Sequence, residues 1–134
     1  MGICSTTYGD LVCRGCKRFA HEIVQWNGYD HDQQATIWQR LHKLRDEVVM
    51  QHLHVEDRLE FASACERAQS ASARVAERAY AVTRFLVVKS EPLHNAGLVA
   101  ASEQTDALLV LQAIDTEIYR RSLAHYERNF KTPL

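Results

Sequence analysis

The fold is decided by one continuous stretch without glycine or proline, residues 30–91, which reads DHDQQATIWQRLHKLRDEVVMQHLHVEDRLEFASACERAQSASARVAERAYAVTRFLVVKSE. Glycine and proline most often mark turns and the ends of helices or strands, so a stretch of this length without them favours helices over a series of hairpins. Four of the five glycines lie within residues 1–28 instead. The sequence therefore predicts a short, turn-rich beginning followed by a long helical region.

Apolar side chains in this stretch recur at helical spacing. The first series alternates steps of four and three residues: Ile37, Leu41, Leu44 and Val48. It predicts a helix over residues 31–52, and Asp30 with Gln33 forms the capping-box pattern at its start.

A second series continues the same spacing and includes several small residues: Phe61, Cys65, Ala68, Ser72, Val75, Ala79, Val82 and Leu86. It predicts one helix over residues 56–89, the third of the chain. This series forms a seam along one side of the helix. Because the residues in the middle of the seam are small, another helix can approach closely there. That helix can belong to the same chain, in an antiparallel bundle, or to a second copy in a homodimer, and the sequence leaves both open.

Two further helices are predicted over residues 17–26 and 102–129, and the chain lacks extended alternating runs that would indicate a sheet. The predicted fold class is all-α, a helical bundle with a small N-terminal metal-binding cysteine knuckle. We expect a single domain over residues 1–134, in which residues 1–28 carry the knuckle and first helix and residues 30–130 carry the bundle.

Composition excludes several classes of function. The 134 residues have a formal net charge of -1, so no overall electrostatic field draws the protein to nucleic acid or to an anionic membrane. No apolar run is long enough to span a bilayer, and the first residues lack a basic segment followed by an apolar one. The expected protein is cytoplasmic, without membrane contact.

Three of the four cysteines lie close together near the start of the chain: Cys4, Cys13 and Cys16. A C-x2-C turn brings two sulfur atoms to one side, where both can bind one ion, and Gly15 gives the turn conformational freedom. Soft thiolates suit zinc or an iron-sulfur cluster, whereas a structural disulfide is disfavoured in a reducing cytosol. The pattern predicts a metal site.

Such a site normally has four protein ligands, so one more is required. His21 is the nearest candidate, because Cys13-x2-Cys16-x4-His21 reproduces three ligand positions of a zinc knuckle. Cys65 is a rival, although its place in the small-residue seam also suits a core cysteine. A three-thiolate site completed by water, or by a ligand from another molecule, is a further alternative.

Three basic residues flank these thiols: Arg14, Lys17 and Arg18. Positive charge there partly neutralises an anionic metal-sulfur centre. The same residues, with the nearby aromatic residues Tyr8, Phe19 and Trp26, also fit a nucleic-acid-binding knuckle, but one cluster of three basic residues is a weak electrostatic footprint. Nucleic acid is therefore the less favoured partner.

The string Cys13-Arg-Gly-Cys16-Lys-Arg, followed by His21-Glu-Ile and Trp26, resembles the bacterial domain-of-unknown-function family 1289 over about residues 1–50. Members of that family are described as predicted iron-sulfur proteins. The family carries a further cysteine four positions before the one matching Cys4, and that position precedes Met1 here. The resemblance implies an N-terminal metal-binding knuckle in a small bacterial protein and implies no activity.

We therefore expect a small, non-enzymatic metal-binding protein whose ligands are Cys4, Cys13, Cys16 and His21. Zinc is the favoured metal, because three thiolates and one histidine are an ordinary structural zinc set. An iron-sulfur redox or sensor protein and a zinc-knuckle nucleic-acid-binding module are the alternatives.

Overall fold

A computed structural model describes residues 5–130 of the chain, and 69% of the structure is helical. The elements are α1 (Ala20–Gln25), α2 (His31–His52), β1 (Leu53–Val55), α3 (Arg58–Arg67), α4 (Val75–Lys89), β2 (Leu98–Ala100) and α5 (Ala107–Asn129). Short 3-10 helices lie at Ser5–Tyr8, Trp26–Gly28 and Leu93–Ala96. The mainly helical fold is confirmed. Among the described helices, none combines the length and the apolar character that crossing a bilayer requires.

The chain divides into two compact units. The first consists of Met1–Leu44 and Thr116–Leu134, and the second consists of Arg45–Asp115. The expectation of a single domain stays a prediction.

Helix α2 has the predicted limits, and its start shows why. The Asp30 carboxylate accepts a hydrogen bond from the backbone N–H of Gln33 at 2.7 Å. The Gln33 side chain in turn accepts one from the backbone N–H of Asp30 at 2.9 Å. This reciprocal capping box satisfies two amide groups that the first turn leaves without partners.

The predicted third helix is wrong, because the structure divides it into α3 and α4. Gln69 takes a left-handed conformation with φ of 55°. The N–H of Ser70 then donates to the carbonyl of Cys65 at 3.0 Å, and the N–H of Gln69 donates to that of Glu66 at 3.1 Å. These bonds end α3 in the manner of a Schellman motif. The small-residue seam is therefore not continuous, and the homodimer through it stays a prediction.

The second unit contains a short antiparallel sheet that the sequence did not predict. Leu53 pairs with Ala100 and Val55 pairs with Leu98. Beyond the strands, the carbonyl of Gly97 accepts hydrogen bonds from the N–H groups of Glu56 and Asp57, at 2.8 and 3.2 Å. The side chain of Asp57 then caps α3 by accepting from the N–H groups of Leu59 and Glu60.

The core of the second unit is apolar and draws on all of its elements. Its fully buried members include Val48, Val49, Leu53, Val82, Leu86, Leu93, Leu98 and Ile114. Helix α5 begins five residues later than predicted, at Ala107. There the Asp106 carboxylate accepts from the N–H of Leu108 at 2.9 Å, which gives the helix a side-chain cap.

Candidate metal centre

The first unit contains a tight turn between two paired backbone segments. Val12 and Phe19 form an isolated antiparallel bridge, and both side chains are buried. The N–H of Ala20 donates to the carbonyl of Leu11 at 2.8 Å, and the N–H of Cys13 donates to that of Arg18 at 2.9 Å. Burial of the two apolar residues at its base fixes the turn in the core of the unit.

The turn itself carries Cys13 and Cys16. The N–H of Lys17 donates to the carbonyl of Cys13 at 2.8 Å, and Lys17 has a left-handed φ of 67°. Its ammonium group folds back onto the same turn and donates to the carbonyls of Arg14 and Gly15. Because the chain reverses between them, the two predicted cysteine ligands lie in one closed turn of the backbone, and the convergence of their sulfur atoms on one metal ion stays a prediction.

The surroundings of the two thiols differ. Cys13 is buried with 5% of its surface exposed, whereas Cys16 is half-buried. The Nε–H of Arg18 donates to the Cys16 sulfur at 3.3 Å. This contact places a positively charged donor beside one of the two sulfur atoms.

Arg18 is held in place by two tryptophans. Its guanidinium carbon lies 4.6 Å from the ring centroid of Trp26 and 5.3 Å from that of Trp38. The two rings meet edge to face with centroids 5.4 Å apart. These cation–π contacts orient the guanidinium that reaches Cys16, and no sequence motif predicted them.

The other two basic residues of the cluster, Arg14 and Lys17, also have contacts within the first unit. Arg14 lies 4.4 Å from the ring centroid of Tyr119 and 3.3 Å from a carboxylate oxygen of Asp10. Lys17 is buried, with 6% of its surface exposed. Lys17 is therefore withdrawn from solvent whereas the Arg14 side chain is exposed, and binding of nucleic acid by these residues stays a prediction.

His21, the predicted fourth ligand, lies in an aromatic cluster with Phe19, His125, Tyr126 and Phe130. Its ring centroid is 4.9 Å from that of Phe130 and 5.8 Å from that of Phe19. Tyr126 and His125 complete the cluster around Phe19, with centroids 5.4 and 5.7 Å from its ring. The contacts around His21 are thus mainly with rings.

The remaining candidate ligands are Cys4 and Cys65. Cys4 lies outside the described residues. Cys65 is buried on α3 in the second unit, and burial raises the pKa of its thiol, although the charge of Arg78 opposes the shift. Within residues 5–130, no three side chains of His, Cys, Asp or Glu are grouped so that they could hold a metal ion.

A buried ion pair supports the turn from the helical side. Glu22 on α1 accepts two hydrogen bonds from Arg40 on α2, at 2.6 and 2.7 Å. It also accepts one from the backbone N–H of Phe19 at 2.8 Å, where the turn ends. Only 6% of the Glu22 side chain is exposed. Eighteen residues separate the two partners, and no motif connects them.

The Glu22 carboxylate makes the stability of the first unit depend on pH. Burial raises the pKa of Glu22, but hydrogen bonds from Arg40 and Phe19 and the charges of Arg40 and His21 outweigh it, so the pKa lies below its ordinary 4.5. Because the folded pKa is lower than the unfolded one, the stabilisation is complete above about pH 4.5 and is lost as the pH falls through the folded pKa.

Wild type and Glu22→Gln should therefore differ most in free energy of unfolding at pH 7 and progressively less below pH 4.5. Urea denaturation followed by tryptophan fluorescence measures this difference, because both tryptophans belong to the first unit. A difference that grows in acid would contradict the assigned direction of the pKa shift.

The comparison with known proteins concerns the N-terminal region, residues 1–45. All four predicted ligands, Cys4, Cys13, Cys16 and His21, lie within the first 45 residues. No curated protein and no solved structure matches the chain. The resemblance predicted from the cysteine motif is confirmed for this region, since residues 1–45 match the model of the family described as "Protein of unknown function (DUF1289)".

Proposed function

We propose that the protein binds one metal ion through thiolates at its N-terminal turn and that this site is structural and non-enzymatic. Cys13 and Cys16 supply two of the ligands, Cys4 supplies a third, and zinc is the metal. The observation that carries the proposal is the closed turn from Cys13 to Lys17, which places both cysteines on one short reversal of the chain.

The residues present suit a soft cation. Thiolates are preferred by zinc over hard cations such as calcium and magnesium. The Arg18 donor to Cys16 supplies the kind of outer hydrogen bond that orients and stabilises metal-bound sulfur. The Lys17 ammonium is directed to the backbone carbonyls of Arg14 and Gly15 within the turn. When bound, zinc would link the start of the chain to the turn and add its binding free energy to folding.

His21 is proposed as the fourth ligand. Its position five residues after Cys16 brings it to the first turn of α1, directly after the cysteine turn. To bind the metal, its ring must exchange contacts with Phe19 and Phe130 for a metal bond. A ligand from solvent or from another molecule is the alternative that the experiment distinguishes.

Purified protein should contain about one zinc ion per chain by elemental analysis and should be colourless after anaerobic purification. We expect Cys13→Ala and Cys16→Ala each to abolish the bound zinc. Cys65→Ala is the matched control, since it removes a buried thiol in the second unit, and it should retain the metal. His21→Ala should lower the zinc content if the histidine is a ligand.

Each other outcome has a definite meaning. A brown protein containing iron and sulfide would replace zinc by an iron-sulfur cluster at the same thiolates. Wild-type protein that contains neither metal, and shows no thiolate charge-transfer absorption on titration with cobalt(II), would overturn the proposed site. Equal metal loss in Cys65→Ala and Cys13→Ala would also overturn it.

A further inference from the structure

The second unit contains a cleft of about 510 Å³ that the metal site does not use. Residues from α2, β1, α3 and α4 line it. Its apolar walls include Met50, Val55, Phe61 and Val75. This volume falls within the range of small-molecule sites, roughly 300 to 1,000 Å³.

The charged side chains at this cleft have one sign. Arg58 and Arg78 both line it, and no acidic residue does so in the described part of the chain. Arg67 and Arg74, in the same unit, form ion pairs with Glu91 and Asp46. By contrast, no ion pair within residues 5–130 involves the two arginines of the cleft.

Arg78 also carries an unsatisfied donor. Its Nε is buried and has no hydrogen-bond partner among the described residues, while its guanidinium carbon lies 5.8 Å from the ring centroid of Phe61. Buried donors normally have partners because leaving one unpaired is costly. A guanidinium with an unpaired donor, beside an apolar wall, can bind an anion that has an apolar body.

We propose that this cleft binds a small amphipathic anion, whose apolar body contacts Phe61 and Met50 and whose anionic head pairs with Arg58 and Arg78. A carboxylate and a phosphate monoester share this chemistry, because the planar guanidinium fork accommodates either. The site lies in the second unit, outside the region that matches the family, and is independent of the proposed metal centre.

Isothermal titration calorimetry on the full chain tests the proposal with three ligands of equal chain length. Octanoate and octyl phosphate carry the anionic head, whereas octanol lacks it. We expect saturable binding of at least one anion, with one molecule per chain and an affinity at least about tenfold higher than that of octanol. The tighter of the two anions identifies the head group. Equal binding of octanol, or no saturable binding of either anion, would overturn the proposal.

Variants locate the binding. Arg58→Gln and Arg78→Gln should each weaken anion binding about tenfold, because each removes a charged donor. Arg84→Gln is the matched control. Arg84 lies on α4 like Arg78 but does not line the cleft, so its substitution should leave binding unchanged.

A steric variant tests the cleft itself. Ala62 is an exposed residue of the lining, and Ala62→Phe retains both charges but fills the cleft, so it should abolish binding. Unchanged binding in Ala62→Phe, or equal loss in Arg84→Gln, would place the ligand elsewhere and overturn the assignment.

Discussion

Arg40→Ala is expected to destabilise the first unit by about 2–3 kcal/mol, which is somewhat less than the cost of breaking a fully buried ion pair because the Arg40 side chain is 32% exposed. Among the described residues, the substitution leaves the buried carboxylate of Glu22 with the backbone N–H of Phe19 as its remaining hydrogen-bond donor. It also uncovers the Phe19 ring, which lies 4.2 Å from the Arg40 guanidinium carbon. Urea denaturation at pH 7, followed by tryptophan fluorescence, measures the loss.

Two controls separate charge burial from lost packing. Glu22→Gln combined with Arg40→Ala should be more stable than Arg40→Ala alone, because no uncompensated charge remains buried. Arg67→Ala breaks a pair of similar two-bond geometry with Glu91 that is exposed to solvent, and should cost far less. If Arg67→Ala were as destabilising as Arg40→Ala, burial of the Glu22 pair would not be the cause.

Gly97→Ala is expected to destabilise the second unit by about 2–4 kcal/mol. Gly97 has φ of 66°, a conformation that side chains with a Cβ rarely adopt. The added Cβ would also collide with the backbone oxygen of Asp57 and lie 3.1 Å from the Cβ atoms of Asp57 and Glu60. Since Asp57 caps α3, relief of this collision would disturb the start of that helix. Thermal unfolding followed by far-UV circular dichroism measures the effect.

Gly28→Ala is the matched control for this substitution. No atom lies within 4 Å of a Cβ added at Gly28, and its φ is outside the left-handed region. We expect its stability to stay within about 0.5 kcal/mol of wild type. Equal destabilisation by Gly28→Ala and Gly97→Ala would show that loss of glycine itself, rather than the close approach of Asp57, is responsible.

The parts of the fold that were predicted correctly depend on local signals. The limits of α2 follow from apolar spacing and from a capping box whose two residues are three positions apart. The division between α3 and α4 was missed because the apolar spacing continues unchanged through residues 68–74. The interruption depends on the left-handed conformation of Gln69, a residue type that does not ordinarily mark a helix end. Strands of three residues are too short to show alternation.

The same distinction applies to the candidate site. The C-x2-C spacing is itself local, and Cys13 and Cys16 lie in one backbone turn, but the metal-binding knuckle stays a prediction. The ion pair of Glu22 and Arg40 joins two helices, and the Arg18 contacts require Trp38 from α2. Such contacts exist only after the unit has folded, so spacing along the chain does not reveal them. Cys4 lies outside the described residues, and its role as a ligand stays a prediction.

The pairing of β1 with β2 has a consequence for the folding kinetics of the second unit. The strands enclose segment 56–97, which contains α3 and α4, so they can meet only after that whole segment has returned on itself. Closing a long loop costs chain entropy before any ladder bond compensates for it, and non-local contacts of this kind slow folding. Because helices such as α3 and α4 can begin to form within about a microsecond, we expect closure of the ladder to follow them during folding.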